Sequence, residues 1–181
     1  GYQLQDRFLE PQILVYPAEE YAQMQNTPAA EQIQRLKTIL AGGAVSKDTL
    51  PTINSFNAAQ LFPAHIQVIA FNSGRGVRFL TQYDQYPAPV NNHELFYQFQ
   101  GLTNDGKYYI VAILPVSSSI LAEDEKPESP VPPGGVPIPS TGTDASYYDA
   151  VTKALDGMYP DSFNPSLFQL DTLISSITVT P

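Results

Sequence analysis

Cysteine and tryptophan are both missing from this 181-residue chain. Without cysteine there can be no disulfide, no thiolate metal ligand and no cysteine nucleophile. Basic side chains are scarce: 9 Lys and Arg stand against 18 Asp and Glu, a formal charge of −9. Such a chain is repelled by phosphate backbones and anionic lipid surfaces, so no nucleic-acid partner is expected. Histidine occurs only at His65 and His93, which limits neutral-pH acid–base chemistry to those two rings and any perturbed carboxylate. No run approaches the roughly 18 apolar residues of a membrane-spanning helix, and GYQLQDRFLEPQ has neither the basic nor the apolar region of a signal peptide. No transmembrane segment is expected in this chain; if the protein is exported, its signal has been removed or was never included, and an anchor is expected only through a missing N-terminal part.

What is present points to one domain, 1–181, long enough to bury a core of its own. Gln12 to Tyr16 is β-rich and stops at Pro17, predicting a strand that hands over to a helix, with a helical turn or two in 18–25. In NTPAAEQIQRLKTILAGG, Thr27 is the expected N-cap and Pro28 the first helical residue. Ile33, Leu36 and Leu40 share one side, and Gly42 and Gly43 close the helix. HIQVIAF and VRFLTQY, either side of NSGRG, predict a hairpin with Val77, Phe79 and Tyr83 on one side and Arg78 and Gln82 on the other. ELFYQFQGL and KYYIVAILPV predict a second, turning at Asp105 and Gly106. In its last strand Tyr108, Ile110, Ala112 and Leu114 alternate with Tyr109, Val111 and Ile113, so both faces are apolar and the strand is central.

Residues 122–143, AEDEKPESPVPPGGVPIPSTGT, begin acidic, continue proline-rich and contain no aromatic residue. They predict an extended, polyproline-like surface excursion. Two helices follow. One is capped by Asp144 and closes at Gly157; the other is capped by Asn164, with Pro165 first and Leu167, Leu170, Ile174 and Ile177 along one side. ITVT is a candidate final strand. The fold class is therefore α+β: an antiparallel sheet of roughly four to six strands built from two hairpins, helices packed mainly on one face.

Few residues carry recognisable chemistry. In FNSGRGVRFL the glycines flank Arg75, but the sequel is a strand rather than a helix, and Gly-Lys-Ser/Thr is absent, so no phosphate loop is expected. Gly74 and Gly76 are expected to set the hairpin turn, with Arg75 at its tip and Arg78 on the polar side of the strand. His93 beside Glu94 lacks metal-ligand spacing, and both histidines are expected to make ordinary hydrogen bonds. No G-x-S-x-G surrounds a serine, TNDG at 103–106 reads as a turn, and Glu19/Glu20 and Glu123–Glu125 read as solvated charge. The positive feature is aromatic: nine of the twenty Phe and Tyr residues lie between Phe71 and Tyr109, splitting across two sheet faces.

Residues 76–116, with EPQILVYPAEEYAQM before and SFNPSLFQLDTLISSI after, resemble a group of exported bacterial proteins and lipoproteins of unknown function. The resemblance implies an extracellular or cell-envelope location, and a further segment preceding the part seen here. The layout, a sheet closed by a helix such as LDTLISSI, is similar to the PsbP and Mog1 type of α+β sandwich, whose members act by binding partners. The expected function is non-enzymatic: a binding, accessory or structural module that docks a protein partner, or a second copy, through its aromatic face or its proline-rich loop. Tyr97 and Tyr109 represent the face, Pro132 and Pro133 the loop, and Arg75 and Arg78 are candidate contacts to an acidic partner. No cofactor, metal ligand or catalytic residue is expected. The alternatives are an envelope hydrolase using His93 with Asp84 or Glu94, and a glycan- or small-ligand-binding lipoprotein domain.

Overall fold

The computed structural model describes residues 7–24, 28–53 and 56–180. Its centre is a five-stranded antiparallel sheet of β1 (Gln12–Pro17), β3 (Ala64–Phe71), β4 (Gly74–Thr81), β6 (Phe96–Thr103) and β7 (Tyr108–Pro115), in the order β1-β7-β6-β4-β3. Two-residue ribbons pair β2 (Ala59–Gln60) with β5 (Tyr83–Asp84) and β8 (Ser117–Ser118) with β9 (Phe163–Asn164). The helices are α1 (Ala18–Ala22), α2 (Ala29–Leu40), α3 (Ala145–Asp156) and α4 (Leu167–Ser175). The α+β class and both predicted hairpins are present, joined edge to edge as β4 and β6.

Alternation in β7 places Ile110, Ala112 and Leu114 in one core and Tyr109, Val111 and Ile113 in another. The first core is completed by Tyr147, Val151 and Leu155 of α3 and by Leu167, Leu170 and Ile174 of α4. The second is completed by Ile33, Leu36 and Ile39 of α2, with Leu50 and Ile53 from the loop after it. The expectation of helices mainly on one face is thus corrected. The chain sends its first pair of helices to one side and its last pair to the other, because a sheet apolar on both faces needs two covers.

Local punctuation agrees in part. Asp144 caps α3 by accepting from the Tyr147 N–H at 3.0 Å. Thr27 lies outside the described residues, and α2 begins after Pro28 rather than at it. Ser166, not Asn164, caps α4, accepting from Phe168 N–H at 3.2 Å, since the Asn164 backbone is used in pairing with Ser117. ITVT forms no strand; Ile177 and Val179 pack against the core instead, and Val179 N–H donates to Ser73 Oγ at 2.8 Å.

The turn between β3 and β4 is Asn72–Ser73, closed by the pair Phe71 and Gly74. Gly74 and Gly76 therefore do not set it, and neither has a left-handed backbone. They lie inside β4, where Gly76 stands opposite Gly101 of β6 and the Phe99 ring crosses both. The second turn is as expected: Gly106 has φ 70°, and Asp105 Oδ1 accepts from Thr103 Oγ1 and Lys107 N–H.

The excursion at 122–143 contains bends and turns with no helix or regular strand. It is tied to the body rather than freely extended: Val136 packs on the first core, and the hydroxyl of Thr143 donates to Pro87 O at 2.7 Å. Among the described residues no helix is long and apolar enough to cross a membrane.

Candidate functional site

Both covered faces dispose of the aromatic surface expected from sequence. Tyr97 is 0% exposed and Tyr109 1% exposed. The Tyr97 hydroxyl donates to Asp171 Oδ1 at 2.8 Å, and the Tyr109 hydroxyl donates to Gln100 Oε1. Burial raises both phenols above their ordinary range. Gln98 and Gln100 each donate a side-chain N–H to the Pro51 carbonyl, at 3.1 and 3.2 Å, so the amides that looked like a polar surface fasten the 44–53 loop over the sheet. Docking through the sheet face is accordingly corrected: the face is core.

Arg78 is likewise internal, 3% exposed, paired with Asp171 and donating to Gln67 Oε1 and to the His65 carbonyl. As a contact to an outside partner it is corrected by its burial. Arg75 is exposed, though in β4 rather than at the tip, and its Nη2 donates to Leu40 O at the end of α2. Pro132 is half-buried and Pro133 exposed, the first two residues of a turn in which Gly135 N–H donates to Pro132 O. His65 makes ordinary hydrogen bonds, its backbone N–H to Asp156 and its Nε2 with Leu155 O at 2.7 Å; burial pulls its pKa down.

A concavity walled largely by aromatic rings lies at the β5 end of the sheet. It encloses about 320 Å³ between Phe8 and Leu9, the 56–58 segment, Tyr83 to Tyr86, and Glu94 with Phe96. Phe56, Tyr83 and Phe96 form one wall, ring centroids 5.1 to 6.0 Å apart. Tyr83 is locked there because its hydroxyl oxygen accepts from the Ile53 N–H at 3.0 Å. Tyr86 stands on the rim and donates its hydroxyl to Glu125, which raises its pKa to about 12.

Glu94 is held in place by two buried amides. Its Oε2 accepts from Gln82 Nε2 at 2.6 Å, and its N–H donates to Asn91 Oδ1 at 3.1 Å; Gln82 Oε1 in turn accepts from the Asn91 N–H. Asn92 extends the scaffold by donating to Ser118 O and Leu121 O and accepting from Ser118 N–H. The stretch NNHE therefore splices the rim to the start of the excursion, where His93 N–H donates to Glu123 O. Sequence reading missed Gln82, Asn91 and Asn92. The available signal was a run of side-chain amides next to prolines in a stretch otherwise rich in apolar residues, where an amide substitutes for missing backbone pairing.

Burial, then Asp84 and Glu125, push Glu94 above the ordinary carboxylate pKa. A raised carboxyl favours the fold below its unfolded pKa and loses that contribution as pH rises through the folded value. Glu94→Gln, which keeps an acceptor for Gln82, should therefore gain in melting temperature relative to the native chain on going from about pH 4 to about pH 7. A difference that stays flat or falls would remove the buried, crowded carboxyl from the description.

Of the hydrolase candidates, Asp84 and Glu94 line this cavity, while His93 lines an adjoining hollow with Glu94 and Glu123 to Lys126. The described residues lining these two include no serine, threonine or cysteine to serve as nucleophile. Among the described residues no group of three His, Asp or Glu is placed to hold a metal ion. The arrangement is suited to binding: aromatic walls accept an apolar or cationic group, and crowded carboxylates favour positive charge. No protein-family model, curated protein or solved structure matches the chain.

Proposed function

We propose that the chain is a non-enzymatic binding module of the cell envelope or extracellular space, and that it holds a protein partner in the cleft at the β5 end of its sheet. The observation that carries this reading is the composition of that cleft: Phe56, Tyr83, Tyr86 and Phe96 beside Asp84 and Glu94. Aromatic side chains supply contact area at low entropic cost and are the usual anchors of protein interfaces. The neighbouring carboxylates favour a partner segment bearing a lysine or arginine, whose stem lies on the rings and whose charge relieves the crowding around Glu94. The acidic start of the excursion contributes the far rim through Glu125. The location rests on the resemblance to exported bacterial proteins.

The test is a backbone-amide NMR titration with a short Lys- and Arg-rich peptide, against a Glu-rich peptide of equal length. The basic peptide should shift Ala58, Gln85 and Glu94 selectively, more weakly as salt is raised, and the shifts should vanish in Phe56→Ala combined with Asp84→Asn. No response at about 1 mM basic peptide, or shifts scattered over the whole acidic surface, would overturn the reading.

A further inference from the structure

Among the described residues no strand pairs with the outer edge of β3. At one end the His65 N–H donates to Asp156, and at the other the Asn72 N–H donates to Ser175 O, so α3 and α4 close the two ends. Between them Ile66, Gln67, Val68 and Ala70 are exposed, Ile66 by 37% and Val68 by 41%. The hairpin closes on Phe71 and Gly74, so Ile69 and Gln67 share ladder bonds with Gly76 and Arg78, and the intervening Val68 and Ala70 turn N–H and C=O outward.

Edge strands are ordinarily blunted by lysine, by proline or by a bulge. Here the bulge sits at the start, between Ala64 and Gln67, and the regular stretch 67–71 contains neither a charge nor a proline. The opposite edge, β1, is bounded by Pro11 and Pro17 with Glu10 alongside.

Charge selects the occupant. With a net charge of −9, two copies repel unless they meet where acids are few; 64–83 is a twenty-residue stretch without Asp or Glu, and the carboxylates that α3 and α4 bring to it, Asp156 and Asp171, are engaged by the His65 N–H and by Arg78. A basic partner, by contrast, gains nothing from that acid-free strip.

We infer that two copies of this chain pair antiparallel through β3, about a two-fold axis at Ile69, so that Val68 and Ala70 of one copy exchange backbone hydrogen bonds with Ala70 and Val68 of the other. The two sheets then join into one of ten strands, and Ile66 and Val68 lose their exposure. This surface is separate from the β5-end cleft and stands independently of the function proposed for it.

The native chain should double its mass in sedimentation between about 1 µM and about 1 mM. Val68→Lys should return it to a monomer, Val15→Lys on the β1 edge should not, and Ile69→Cys, the only thiol in the chain, should oxidise to a covalent dimer. A native chain that stays monomeric throughout, or a dimer that survives Val68→Lys, overturns the inference. A second measurement needs no variant: amide exchange at Val68 and Ala70 should slow at least about tenfold at the high concentration, and unchanged rates there would equally overturn it.

Discussion

Asp171→Ala should lower folding stability by about 3–5 kcal/mol, because it leaves the buried Arg78 guanidinium without its counter-ion. Arg78 Nε and Nη2 each donate to the Asp171 carboxylate at 3.1 Å, a bidentate pair inside a core where Arg78 is 3% exposed. The same carboxylate accepts from the Tyr97 hydroxyl, so its loss strands a second buried donor. The pair also fastens α4 to the sheet, and part of the cost is the loosening of Leu167, Leu170 and Ile174 from the first core. For a chain of this length the melting temperature should fall by on the order of 10 °C. The exposed helix pair Glu31 and Arg35, at 2.7 Å, is the internal control, and Glu31→Ala should cost no more than about 0.5 kcal/mol. Replacing Arg78 and Asp171 together by methionine and leucine should recover most of the loss. Equal, small costs for Asp171→Ala and Glu31→Ala would mean that Arg78 reaches water and that α4 is held by apolar packing alone.

The second large effect is steric. A Cβ on Gly101 would lie 2.6 Å from Phe99 Cζ, and one on Gly76 would lie 2.4 Å from both the Phe99 ring and the Gln100 carbonyl. The Phe99 ring covers this pair of facing glycines and meets Phe71 edge-on at 5.9 Å, filling space that two side chains would otherwise occupy. Gly101→Ala should cost about 1–3 kcal/mol, and Gly76→Ala at least as much, since a backbone oxygen cannot rotate away. The distinguishing measurement is a double-mutant cycle in urea unfolding. Phe99→Leu should absorb much of the Gly101→Ala penalty, because only rings stand in that path, and less of the Gly76→Ala penalty. Strict additivity at Gly101 would show that backbone conformation, and not the ring, demands glycine there.

Local pattern determined a good deal of this protein from sequence. Alternation in 108–114 announced a central strand apolar on both faces, Asp105 and Gly106 announced a turn, and Asp144 announced a helix start; each depends on residues within a few positions of one another. Chain composition likewise excluded thiol chemistry and argued against nucleic acid. What the sequence could not decide were matters of who covers whom. Arg78 and Tyr97 on one face of the sheet, and Gln98 and Gln100 on the other, carry polar atoms that would suit solvent, yet each finds its partner at a distant point of the chain: Asp171 for the first two, Pro51 for the glutamines. Gly74 and Gly76 read as turn residues because a turn is the commonest local use of glycine. Only the Phe99 ring brought across from β6 over Gly76, and the Leu102 carbonyl and Phe71 ring against Gly74, show the need to be for space. The cleft belongs to the same class, since Phe56, Tyr83, Glu94 and Glu125 converge from four separate segments. Secondary structure follows the short-range periodicity of side chains, whereas burial and site geometry follow long-range pairing, which no local spacing encodes.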